Sequence, residues 1–311
     1  MRATLLRHEP LLRHEPPAPP RSTEVRRTIL QDLDRVENYP TLSETTIRAT
    51  ELVNSTDSSA AEVGALIRRD SVLAAAVLRR ANNWTLGSRK TIDNVQQAVV
   101  RIGILECGKL LCTLGTRAVY NHYPPAIQKH CDAIHRHSLF VANLATGINK
   151  AVGLGFTGTE FTAGLLHDIG RIIICVKTPP DAYHEPNNRC SETVLQLERE
   201  QYGIDHCAVG YQFAMHNSLP EALTRVALNH HRPEDERVQP ELVALIAFVN
   251  RIAHHVQRHH NIAGYPLEEC PVLPFLSRTW DEDQEYLLKR KLHAVVVQAI
   301  KDTRAMLKSC C

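Results

Sequence analysis

Apolar residues in this chain recur at intervals of three, four and seven almost from end to end, while period-two alternation is nearly absent, so amphipathic helices are the elements it can build in number. A chain patterned this way must bury helix stripes against one another, which predicts an all-α fold. The best strand candidate, Ile172 to Val176, is a short β-branched run directly behind a helix and is read as a continuation of helix. With 311 residues there is room for one large domain or two modest ones.

Residues 5 to 16 repeat LLRHEP twice and run into a proline-rich stretch, so positions 1–27 are read as a disordered tail. An N-terminal helical lobe follows over 28–128. It has clear start signals, such as the capping box Ser59-x-x-Glu62 and a cap at Asp70 ahead of the stripe Leu73, Ala74, Val77, Leu78 and Ala81. Residues 129–258 carry a second helical lobe, read as five helices. Residues 259–311 form a proline-bearing loop and a last amphipathic helix, whose acids Asp281 to Asp283 and bases Lys301, Arg304 and Lys308 suit a helix dipole.

The second lobe turns polar groups inward. On a helix beginning near Cys131, His137 falls in register with Val141, Leu144, Ala145 and Ile148. His167 and Asp168 sit together at the end of the next helix, with Gly170 read as its terminator. Asp205 caps a helix on which His206 shares a face with Val209, Gly210 and Phe213. The helix started by Pro220 carries Leu223, Val226, Ala227 and His230, with His231 beside it, and Asn250 lies on the stripe of Leu242, Leu245, Ile246 and Val249. His254-His255 and His259-His260 lie past that stripe and are read as surface or loop residues.

A lone histidine on an apolar stripe is usually a core residue bonded to a backbone carbonyl, and the chain has 17 histidines. Several together are harder to explain that way, because each unpaired buried polar group costs about 1–3 kcal/mol. A shared metal centre removes the cost. Neutral imidazoles and a carboxylate suit Fe, Mn, Zn or Ni, as one or two ions.

Tyr39-Pro40-Thr41-Leu42, Arg69-Asp70-Ser71-x-Leu73, Leu78-Arg79-Arg80-Ala81-Asn82 and Gln97-Ala98-x-x-x-Ile102-Gly103 follow one another in the first lobe. Arg136-His137-Ser138, His167-Asp168-Ile169-Gly170-Arg171, Asp205-His206-x-x-Val209-Gly210 and Asn229-His230-His231 follow in the second. Over about residues 33–255 the chain thereby resembles the HDOD family of bacterial signalling proteins, within the HD superfamily. The resemblance implies a two-lobed, all-α regulatory module, its second lobe related to metal-dependent phosphohydrolases. It further implies one metal held by His137, His167, Asp168 and residue 250, and another by Asp168, His206, His230 and His231. Asn250 stands where that pattern has aspartate, and a neutral amide is the weaker ligand. The related HD-GYP phosphodiesterases carry Gly-Tyr-Pro close behind the paired histidines; here Arg232-Pro233-Glu234 follows His231, and Gly264-Tyr265-Pro266 lies far downstream in a loop.

Other patterns exclude more than they suggest. Gly153-x-Gly155-x-x-Gly158 follows a helix, not a strand, and is read as a connector. Cys207 falls a helical step off the pocket face, which argues against a nucleophile. The nine cysteines lack a C-x-x-C pair, and the formal charge of +2 gives no pull toward nucleic acid or an anionic membrane. The expectation is a cytoplasmic signalling module, non-catalytic or weakly catalytic, acting on a protein partner in trans since no receiver, kinase or cyclase segment is evident, with a small phosphorylated ligand as a further partner class. The alternative is a metal-dependent phosphohydrolase in which Asp168 helps hold the ion and Arg171 steadies a phosphate.

Overall fold

The computed structural model describes residues 39–54, 58–83, 91–179, 191–276 and 280–310, with isolated positions at 27, 31, 35 and 183. The tail expected over 1–27 lies outside the described residues, Arg27 excepted. All regular structure among the described residues is helical.

In the first lobe α1 (Glu44–Asn54), α2 (Ala60–Ile67), α3 (Ser71–Asn83), α4 (Val95–Ile102) and α5 (Ile104–Ala118) form a small bundle. Its starts are set by the expected chemistry. The Ser59 hydroxyl accepts from the Glu62 amide at 3.2 Å while the Glu62 carboxylate accepts from the Ser59 amide at 2.9 Å, and Asp70 accepts from Val72 N at 2.8 Å. Each bond satisfies an N–H that the helix itself leaves open.

The second lobe is built on α6 (Pro125–Val152), which starts a turn and a half earlier than the sequence reading because Pro125 supplies the preset φ of a first helical position. Around it pack α7 (Thr159–Leu166), α8 (Ile169–Lys177), α9 (Ser191–Tyr202), α10 (His206–His216), α11 (Glu221–Asn229) and α12 (Pro240–His259). Among the described residues, seven α-helices therefore stand where five are expected. The Ile172–Val176 run is helical, and the glycines of Gly153-x-Gly155-x-x-Gly158 all have positive φ and join α6 to α7. Past α12, the short α13 (Leu273–Leu276) precedes α14 (Glu282–Cys310).

The lobes share apolar contact. Leu139, Ala142, Phe161 and Leu165 of the second lobe pack into the first lobe's core, and α14 runs along α6 to place Met306 there too. Tyr39 and Leu42, ahead of α1, pack instead on the second lobe, where Asn217 accepts from Leu42 N at 2.7 Å.

One buried group in this frame has no compensation. His135 on α6 is 2% exposed, lies edge-on to Tyr120, and both its ring nitrogens lack a hydrogen-bond partner. Burial pushes its pKa down to about 4, so it is neutral and still desolvated. His135→Leu is expected to raise the urea midpoint by the equivalent of about 1–3 kcal/mol. A lower midpoint would show that the imidazole has a partner worth more than its desolvation.

Candidate metal centre

His137, His167, His206, His230 and His231 come together with Asp168 from four points of the scaffold. The α7–α8 junction delivers His167 and Asp168, the first residue of α10 delivers His206, and the end of α11 delivers His230 and His231. His167, Asp168 and His206 are at most 1% exposed.

The donor atoms converge tightly. Asp168 Oδ1 lies 3.3 Å from His206 Nε2 and 3.5 Å from His230 Nε2, while Asp168 Oδ2 lies 3.5 Å from His167 Nε2. His206 Nε2 is 3.4 Å from His230 Nε2 and 3.0 Å from His231 Nε2. Ligands at ~2.1 Å around a tetrahedral ion stand about 3.4 Å apart, so these separations would fit a first-row metal.

The far side of the rings explains which atom faces inward. His206 Nδ1 donates to Glu198 Oε2 at 2.6 Å, His167 Nδ1 to the Gly164 carbonyl at 2.8 Å, and His230 Nδ1 to the Val226 carbonyl at 3.0 Å. Acceptors on Nδ1 leave the lone pair on Nε2, the usual way a protein prepares imidazole for a metal. His167 Nε2 and Asp168 Oδ1 are accordingly buried without a hydrogen-bond partner. Lone pair facing lone pair is costly unless a cation lies between, and the donor set fits one.

The field in the pocket divides the four rings. Burial would raise Asp168, but His167 and Arg171 hold its carboxyl well below the usual range. Burial would discharge His206 and His230, yet Glu198 and Cys207 keep His206 well above the ordinary value and Cys207 and Asp168 raise His230 to about 9, so an ion entering here would displace a proton from each. Burial drives His167 down to about 3 and His231 well down, leaving both as neutral donors. Arg171 Nη1 donates to Asp168 Oδ2 at 3.2 Å and its Nε lies 4.0 Å from Glu198 Oε1, so its guanidinium clasps the two carboxylates that shape the pocket.

A second, weaker cluster adjoins the first. The donors of His137, His167 and Asp168 lie within 4.8 Å of one another. His137 Nε2, however, meets Asn250 Oδ1 at 2.9 Å and its Nδ1 meets Gln257 Oε1 at 3.0 Å. A neutral imidazole has one N–H, so one of these amides must turn its NH2 to the ring. Both nitrogens of His137 are thereby occupied.

Several participants escaped the sequence reading, and some assignments change. Glu198 is a buried carboxylate on α9, a helix of polar composition, and its offset of eight from His206 gives no periodic signal. His254 is exposed, as a surface residue should be, but it stands on helix: α12 runs through His259, and the His254 ring stacks on His137 at 4.5 Å. The 250, 254, 257 spacing marks one helix face and could have revealed both His254 and Gln257. His255 and His259 are also helical, while His260 ends the helix with φ 57°. Gly170 does not terminate a helix; it is the second residue of α8. Cys207, expected a step off the pocket face, brings its Sγ to 4.0 Å from His230 Nδ1, and its Sγ lies within 4.8 Å of one nitrogen each of His206, His230 and His231.

The sequence pattern of the HDOD domain matches residues 39–233. The chain is 23% identical over 228 residues to an uncharacterized protein of Treponema pallidum (strain Nichols), covering 70% of this chain and 42% of that one, so it spans less than half the length of this curated relative. An HDOD domain protein of unknown function from Geobacter sulfurreducens superposes with a TM-score of 0.66 at 22% identity, over 89% of this chain and 98% of that one. A candidate metal-dependent phosphohydrolase from Shewanella amazonensis SB2B does so with a TM-score of 0.59 at 17% identity, over 93% and 99%. These structural likenesses establish the fold. No described helix is long and apolar enough to cross a membrane.

Proposed function

Because the chain belongs to the HDOD domain family, we propose that it is a signalling module whose second lobe binds one divalent transition-metal ion, the ion serving to organise the lobe and not to turn over a substrate. The observation that carries this reading is the asymmetry of the pocket. Asp168, His206, His230 and His231 bring their donor atoms within 3.0–3.5 Å of one another, with only each other as partners on that side, whereas His137 is tied to the neutral amides of Asn250 and Gln257. A full set for one ion stands beside an incomplete set for a second. When bound, the ion supplies fixed positive charge and Lewis acidity. This chain's own residues hold it: Glu198 and the Gly164 and Val226 carbonyls orient the rings, and Arg171 keeps Asp168 ionised. A lobe so ordered presents a defined surface to a protein partner in trans.

A phosphohydrolase is the second reading, favoured by His254, which stands exposed beside His137 where it could meet a substrate group. Arg171 would have to loosen its contact with Asp168 to steady a phosphate.

Elemental analysis of the purified chain beside its Asp168→Ala variant, followed by a phosphoester screen with added Mn or Fe, separates these readings. The expected result is about one ion per chain, lost in the variant, with no turnover. Turnover that disappears with Asp168→Ala would replace the first reading by the second, and a site that stays empty after reconstitution would sink both.

A further inference from the structure

A cavity of about 720 Å³ opens on the other side of α6, between α3 and α5 of the first lobe and α14, and none of its lining residues belongs to the metal cluster. Its volume falls in the range that holds a small organic molecule. Its walls differ in character from the pocket of histidines.

At one wall, on the first lobe, three charges are gathered. Lys109, 5% exposed, donates from Nζ to Glu106 Oε1 at 3.1 Å and lies over the Phe161 ring at 5.2 Å, and Arg80 Nη2 stands 3.5 Å from Glu106 Oε2. Across from them α6 contributes Asn143 and Thr146, and the Thr146 hydroxyl is buried without a hydrogen-bond partner. Lys150 and Lys291 stand at the rim, from α6 and α14 respectively, Lys291 reaching the Ala151 carbonyl at 3.0 Å. The lining thus carries four cationic side chains against two carboxylates, Glu106 and Asp302. Apart from Gln298, which donates to Asp302 at 2.9 Å, the remainder is apolar, with Leu105, Val295, Ala299 and Met306 as its chief surfaces.

Taking ammonium and guanidinium groups out of water is costly, so a cluster left open to a chamber keeps its charge available to an anion. Here the cluster borders an open chamber of ligand size, with an unsatisfied hydroxyl and an excess of positive charge. We propose that this inter-lobe cavity binds a small organic anion, a phosphate monoester or carboxylate attached to an apolar body of one or two rings. The apolar body lies against Val295, Ala299 and Met306, and the anionic group is drawn by the lysines.

The test uses the full chain and the fluorescent aryl sulfonate 1-anilinonaphthalene-8-sulfonate as probe, with neutral N-phenyl-1-naphthylamine as its uncharged counterpart. Ala294 is an exposed lining residue on α14, so Ala294→Trp should block the chamber while the core stays intact, as circular dichroism would verify. Saturable binding of the sulfonate is expected, weakened at least about tenfold in Ala294→Trp and several-fold in the Lys150→Met, Lys291→Met double variant, with the neutral probe roughly tenfold weaker than the anion. Displacement by 1-naphthyl phosphate or by 1-naphthoate identifies the head group. Binding untouched by the tryptophan, equal binding of the neutral probe, or displacement by neither naphthyl anion would overturn the proposal.

Discussion

Gly170→Ala is expected to cost at least about 3 kcal/mol of stability and to empty the metal site, although the change adds one methyl group to a helix. A Cβ at position 170 would stand 1.9 Å from the His206 carbonyl oxygen, 2.7 Å from Gly210 N and 2.9 Å from His206 C. All three are backbone atoms, so no side chain can swing aside. The helices must separate instead, and each is tethered to the pocket, α8 by Asp168 immediately before it and α10 by His206 at its first position. Moving them apart breaks the 3.3 Å approach of Asp168 to His206 along with the packing. Gly210→Ala is the matched control: its Cβ would meet Ala227 Cβ at 3.5 Å, an ordinary contact, and alanine favours helix by about 1 kcal/mol over glycine. Urea midpoints and metal content of the two variants check the claim. Equal behaviour would mean that α8 and α10 slide freely and that their contact does not set the site.

The same two helices show what the sequence reveals and what it hides. His206 is legible because its apolar neighbours define a face and Asp205 defines the helix start, both local signals. Gly170 is misread for a good reason: glycine behind a polar pair resembles a helix terminator, and only the crossing of α8 over α10 shows that the missing Cβ serves close approach. Glu198 is hidden more completely, because a carboxylate on a polar helix looks solvated until the ring of His206 is brought over it. Amphipathic stripes fix the all-α class and the inward histidines, whereas contacts between elements distant in sequence fix which nitrogen faces the ion. The seam between lobes follows the same division. Val295 and Ala299 read as one apolar stripe, but that the stripe borders a chamber with Lys109 depends on how α14 lies along α6.

Asn250→Asp is expected to raise the bound metal from about one to about two ions per chain, because it restores charge to the cluster that lacks it. The position is 4% exposed and its amide oxygen already touches His137 Nε2 at 2.9 Å, so a carboxylate there adjoins the group formed by His137, His167 and Asp168. Without metal the new charge is a burden. A carboxylate buried beside Asp168, in a pocket where burial already keeps His137 and His167 neutral, should lower the stability of the metal-free protein by about 1–3 kcal/mol or more. With metal the order should reverse, since an ion that binds only the folded state adds stability in proportion to the logarithm of its concentration over its dissociation constant. Melting curves with and without saturating Mn or Zn would therefore cross: the variant below the parent when stripped, and equal or above it when loaded. If the variant holds one ion and is destabilised under both conditions, His137 is a core residue fixed by amides, and the asymmetry of the pocket is built by more than the loss of one charge at 250.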